Sequence, residues 1–167
     1  IQIFGGDEEA MALSAKIVET VQPDLVDINF GCPVKKVVCK GAGAGVLKDI
    51  DLMVRLTKAV IKSTHLPVTV KTRLGWDESS INIDEVAERL QDIGVQALSI
   101  HARTRAQMYK GHSDWSHIAR IKNNPRITMP IFGNGDIDSP EKALQFKNEY
   151  GVDGIMIGRA AIGYPWI

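Results

Sequence analysis

Cys32 follows Asp27-Ile28-Asn29-Phe30-Gly31 and precedes Pro33. That leaves Cys32 at the mouth of a strand, where a thiol could meet a substrate. Period-two alternation puts Val26, Ile28 and Phe30 on one face of that strand and Asp27 and Asn29 on the other. Polar groups on an inner face are costly unless something uses them. Gly31 lets the backbone turn and approach a ligand, and Pro33 fixes the exit. The competing reading makes Cys32 a small buried hydrophobe.

Two later strands repeat the pattern. Val68 and Val70 oppose Thr69, Lys71 and Arg73; Leu98 and Ile100 oppose Ser99, His101 and Arg103. Gln2 sits similarly on the first strand. Lys71 could be a site amine or a strand-end lysine reaching solvent. His101 could be a site group or a hydrogen-bonded core histidine. Near the other end, Gly133-Asn134-Gly135-Asp136 and Gly158-Arg159 follow apolar strands. Such loops offer backbone N–H groups, a helix start and an arginine to an anion, though Asn134 and Asp136 also suit plain turns. Arg103, Arg105, Lys35, Lys36 and Lys40 could face the phosphates of a partner or water. Trp76 and Trp115 read as packing residues. Gly41-Ala42-Gly43-Ala44-Gly45 lacks the Gly-Lys-Ser/Thr ending of a triphosphate loop; with the lysines before it, it reads as a mobile active-site loop or as a solvated surface loop.

The elements that must position these groups alternate. Strands are predicted near residues 1–4, 26–30, 66–71, 97–101, 129–132 and 154–157. Helices are expected after Asp7, after Asp49 or Asp51, around Val86 to Ile93, from Trp115 to Lys122, after Ser139-Pro140, and from Gly158 onward. Such alternation predicts a parallel sheet. Polar residues at the carboxyl ends of one face favour a (β/α)8 TIM barrel over a doubly wound sheet, because the barrel's inner face opens onto its site there. Six strands are too few for closure. If the two anion loops follow strands seven and eight, residues 1–167 cover strands three to eight of an incomplete barrel, with two strands expected before Ile1. Two open edges would make it a poor independent folder.

The chain has 167 residues, with 44% hydrophobic and 24% charged residues, as in an ordinary globular domain. No apolar run reaches membrane-span length. The formal charge of zero argues against a globally basic nucleic-acid binder, while leaving a local basic patch possible. Cys32 and Cys39 lack the Cys-x-x-Cys spacing of a metal or redox pair, so no metal is expected and a reducing, cytoplasmic setting is.

The ordered set Asp27–Lys36, Gly41-Ala42-Gly43, Val68–Arg73, His101–Arg105, Gly133–Ile137 and Gly158–Ala161 resembles the tRNA-dihydrouridine synthases, most closely their bacterial B-type branch. The resemblance implies an FMN enzyme that uses NADPH to reduce the C5–C6 double bond of a uridine in tRNA. It implies that Cys32 is the general acid at C5 and that Asn29, with Arg73 and Arg103, lies on the substrate side. It implies that Gln2, Lys71 and His101 contact FMN, and that Asn134, Gly135, Asp136, Gly158 and Arg159 hold its ribityl and phosphate end. Cys39 departs from the pattern and reads as incidental. An early FMN-binding segment and a C-terminal helical tRNA-binding domain are expected outside this chain, so residues 1–167 alone are expected to be inactive and the complete protein monomeric. Competing functions are an FMN barrel acting on a free pyrimidine, a flavin-free phosphate-binding aldolase or isomerase using Lys71, and a non-enzymatic RNA-binding module.

Overall fold

The computed structural model describes residues 1–167. Strands and helices alternate as β1 (Gln2–Ile3), α1 (Glu8–Glu19), β2 (Val26–Asn29), α2 (Lys35–Val38), α3 (Ile50–Ile61) and β3 (Val68–Arg73). There follow α4 (Ile83–Asp92), β4 (Ala97–His101), α5 (Ser116–Lys122), β5 (Ile131–Asn134), α6 (Pro140–Tyr150) and β6 (Gly154–Met156). The expected caps form. Asp7 accepts from the Ala10 N–H, Asp49 from Leu52 and Ser139 from Lys142, each filling a donor that the first turn leaves open. Gly94 and Gly151 end α4 and α6 in the left-handed region, where a side chain would be strained. No helix is long and apolar enough to cross a membrane.

All six strands are parallel and lie in chain order, β1 to β6. A flat sheet would separate its first and last strands by roughly 24 Å, five spacings of about 4.8 Å. Gln2 of β1 and Met156 of β6 nevertheless line one cleft, so the sheet is curled. Curled parallel strands with helices outside make six consecutive staves of a (β/α) barrel, as predicted.

The outer face makes the core. Val26, Ile28, Phe30, Val70, Leu98, Ile100 and Ile131 are fully buried, against Met11 and Ala15 of α1, Met53, Leu56 and Val60 of α3, Val86 and Leu90 of α4, and Ile118 and Ile121 of α5. Each such side chain contributes about 1.5–3 kcal/mol. With that face committed to the helices, the alternate residues must turn inward.

Two expectations change. The glycine run is not a loose loop: Gly43–Lys48 is a 3-10 helix whose Gly43, Ala44, Val46 and Leu47 are buried. Its glycines serve close packing. The last helix is only a three-residue 3-10 turn, Arg159–Ala161. Gly163, left-handed at φ 81, and Pro165 prevent it from propagating. Trp115 packs as expected: it is 2% exposed, meets Phe146 of α6 edge-on at 5.0 Å and stacks on Tyr150 at 5.5 Å.

Gly133 of β5 passes under that indole, where a Cβ would come within 2.0 Å of Trp115 Cζ3. Gly133→Ala should therefore lower stability by about 1–3 kcal/mol in urea unfolding, the usual cost of overpacking. Trp115→Leu in the same chain should recover part of that loss.

Candidate active site

The turn after β2 is held from below by its own strand. Asn29 Oδ1 accepts from the Gly31 and Cys32 N–H groups at 2.9 and 3.0 Å. The Cys32 carbonyl accepts from the Ala44 N–H at 3.0 Å. Gly43 lies so close that a Cβ there would meet the Cys32 carbonyl oxygen at 2.9 Å. The half-buried Cys32 is thereby fixed at the mouth of the sheet.

Register then sets Cys32's neighbours. Gln2 lies opposite Asp27 and Asp27 opposite Thr69. One layer higher, Asn29 lies opposite Lys71. Above that, Arg73, His101, Asn134 and Met156 form a row. Asn29 Nδ2 donates to Gln2 Oε1 at 2.9 Å, and Gln2 Nε2 donates to Asp27 Oδ2. Thr69 donates its hydroxyl to Asp27 Oδ1 at 2.7 Å.

The Lys71 amine has no carboxylate within ion-pair distance. Burial lowers its pKa, the Arg73 charge lowers it further, and Asp27 opposes both. His101 donates from Nδ1 to Asn134 Oδ1 at 2.8 Å, which leaves Nε2 as an acceptor facing Arg103 at 3.4 Å. Burial, then Arg73 and Lys71, push its pKa down to about 3, so the ring is neutral. Asn134 Nδ2 donates to the Met156 carbonyl at 2.7 Å, tying β5 to β6.

Both arginines expected on the substrate side are 2% exposed. Arg73 donates to the carbonyls of Gly31 at 2.8 Å, Thr104 at 3.0 Å and Met108 at 2.8 Å. Arg103 donates to the carbonyls of Lys110 and Gly111 and to the Asp136 carboxylate. Arg103 is thus a buried staple; the reading that turned it toward a partner's phosphates does not fit its surroundings. Burial pushes the Asp136 carboxyl up, but hydrogen bonds from Arg103 and the Ser113 N–H outweigh this and hold it at about 2. Asp136 is therefore engaged within the protein. Arg159 is the exposed cation of this end, its side chain 59% exposed, its guanidinium 3.8 Å from Asp136 Oδ1 and 4.7 Å from the Tyr109 ring centre.

All twelve candidate residues line one cleft of about 1070 Å³, together with Tyr109, His112 and Lys142. Five cations, Lys71, Arg73, Arg103, Lys142 and Arg159, face two carboxylates, Asp136 and Asp138, so the cleft favours an anion. No group of three or more His, Cys, Asp or Glu side chains is placed to hold a metal. Tyr109 was missed: it stands in a polar loop with no periodicity, and only the fold brings it over His101 and Arg73. Asp27 was seen as an inward polar residue, but its partner Gln2 lies 25 positions away. Outside the cleft lining, Trp76 carries Lys48 Nζ at 3.8 Å and the Arg105 guanidinium at 4.5 Å from its ring centre.

The neutral His101 has a consequence for stability. The unfolded chain takes up a proton below pH 6.5 that the folded chain refuses until about pH 3. This contribution is complete above pH 6.5 and is lost as pH falls through that window. Urea unfolding should lose about 2 kcal/mol between pH 6.5 and about pH 5 on this account. His101→Gln should flatten that slope.

A family model described as "Dihydrouridine synthase (Dus)" matches residues 1–167. The chain is 46% identical to tRNA-dihydrouridine synthase B of Pseudomonas syringae over 167 residues, all of this chain and 49% of that protein. It is 44% identical to the probable tRNA-dihydrouridine synthase 1 of Synechocystis, again along its whole length and over 46% of the relative. The chain thus spans about half the length of the curated relatives it matches. Among solved structures, a 2-naphthoyl-CoA reductase aligns over 95% of this chain and 27% of its own, at TM-score 0.72 and 16% identity. Morphinone reductase aligns over 93% and 45%, at TM-score 0.65 and 14% identity. These last two likenesses are to the fold. With a matching family model from end to end, and relatives above 40% identity over every residue, the chain belongs to the dihydrouridine synthase family.

Proposed function

We propose that the full-length protein reduces the C5–C6 double bond of a uridine in tRNA, with FMN as cofactor and NADPH as reductant. The observation that carries this reading is that Cys32 and Lys71 open onto the same cleft as the loops at 133–136 and 158–159. The names of the relatives give the substrate its class.

The residues present fit FMN. The half-buried Lys71 amine has no acidic partner and faces the cleft, where an electron-rich ring edge would satisfy it. Gly158 has open space where a side chain would stand, and the exposed Arg159, 3.8 Å from Asp136, follows it, which suits a phosphate. Gln2, His101 and the backbone of Asn134 and Gly135 complete the wall, while Asp136 acts through Arg103. When bound, the flavin supplies hydride chemistry.

The chain's own groups do the rest. Asn29 fixes the turn that carries Cys32 and lies beside the position a uracil would take. Cys32 is held where its thiol can deliver a proton to C5. Arg73 locks the Gly31 carbonyl to the loop at 104–108, so that the thiol and the Tyr109 wall move together. A uridine must leave its stack to enter this mouth. Lys48 and Arg105, steadied on Trp76 and without carboxylate partners, are proposed contacts for the RNA backbone outside the cleft. A cytoplasmic monomer accords with a tRNA substrate and two unpaired cysteines.

The test is full-length protein purified with its flavin spectrum recorded and dihydrouridine measured in tRNA. Cys32→Ala should keep the flavin and lose roughly 10²–10⁴-fold in kcat, the range for a proton donor. Lys48→Glu with Arg105→Glu should raise KM for tRNA and flatten its salt dependence while kcat holds. A colourless protein, or one that leaves tRNA uridine unchanged, overturns the reading.

A further inference from the structure

We propose that Asp27 is a positioning residue that anchors the far end of an amide relay ending at the Cys32 turn. The relay has four joints. Thr69 donates to Asp27, Gln2 Nε2 donates to Asp27, Asn29 Nδ2 donates to Gln2 Oε1, and the Gly31 and Cys32 N–H groups donate to Asn29 Oδ1. A carboxylate only accepts and a backbone N–H only donates. Between those two ends each primary amide has one orientation that satisfies both its neighbours. Asp27 obliges Gln2 to turn its Nε2 inward, which leaves Oε1 for Asn29. Asn29 must then offer Oδ1, and not its amino group, to the backbone that carries the thiol.

The register explains why Asp27 can do this. Gln2, Asp27 and Thr69 share one layer of the inner face, directly below the layer of Asn29 and Lys71. Both Asp27 oxygens are engaged. A second role competes with this one: Asp27 is also the negative charge that raises the pKa of Lys71. The two roles separate chemically. An asparagine at 27 can still present Oδ1 to Gln2 while its amino group donates to the Thr69 hydroxyl, so it keeps the relay and removes the charge. Asn29→Asp places an acceptor-only group at each end of Gln2, and one joint must break. Combining Asn29→Asp with Asp27→Asn restores all four joints with Gln2 turned over. The link to catalysis rests on the function proposed above; the link to the Cys32 turn does not.

The experiment uses full-length protein with flavin bound. Iodoacetamide labelling of the Cys32 peptide is followed by mass spectrometry, alongside thermal unfolding and the kcat and KM for tRNA. Asp27→Asn should label Cys32 within about twofold of the parent protein. Asn29→Asp should change that rate by roughly tenfold and lower the Tm, as the loss of one joint of the relay implies. Asp27→Asn added to Asn29→Asp should return labelling rate and Tm most of the way. The relay is overturned if Asp27→Asn alone is as damaging as Asn29→Asp, or if the two changes simply add. Labelling and melting are read whether or not tRNA is reduced, so failure of the tRNA reading leaves this result standing.

Discussion

The parallel register of the inner face is the constraint on which the site depends. Helices on the outside take every second residue of the strands, and Val26, Ile28, Val70, Leu98, Ile100 and Ile131 are fully buried there. The intervening residues have no apolar surface to meet. Parallel pairing stacks them in rows, so Asn29 meets Lys71, and Arg73 meets His101 and then Asn134. A slip of one residue in any strand would send its polar set into the helix layer and its aliphatic set into the cleft. Fold and site are therefore fixed by the same pairing.

Inside the cleft, charge is managed by burial as much as by pairing. Arg73 and Arg103 are buried, yet each has three or more oxygen acceptors, mostly backbone carbonyls. That removes the penalty of an unsatisfied buried cation and stitches loops that lack secondary structure of their own. The exposed ion pairs, such as Arg126 with Glu88, contribute far less. His101 stays neutral among cations, and Lys71 is destabilised in its charged form for the same reason. The result is a pocket with one amine that has no carboxylate partner, at Lys71, and one exposed guanidinium in a long ion pair with Asp136, at Arg159.

Much of this was legible in the sequence because period-two alternation and cap residues are local signals. The six strands, the caps at Asp7, Asp49 and Ser139 and the inward set Gln2, Asn29, Lys71 and His101 come directly from them. What was not legible depends on distant partners. Arg103 reads as a surface cation until Asp136, 33 positions away, is found beneath it. Tyr109 has no pattern around it. Glycines 43 and 45 look like flexibility in a string of letters, but Gly43 exists to let a backbone pass against Cys32, and only the neighbour's position reveals that.

The aromatic stack over Gly133 bears on how the molecule comes apart. α6 has no fully buried residue; it is held by Phe146 and Tyr150 leaning on Trp115. Its amides should accordingly exchange with solvent ahead of those in α3 and α4, through local opening that leaves the rest folded. Because α6 begins just beyond Asp136, such an opening would also loosen the wall that Arg103 braces. A helix with no fully buried residue is thus coupled to the Asp136 side of the cleft, and its opening under heat or a protease would reshape that side.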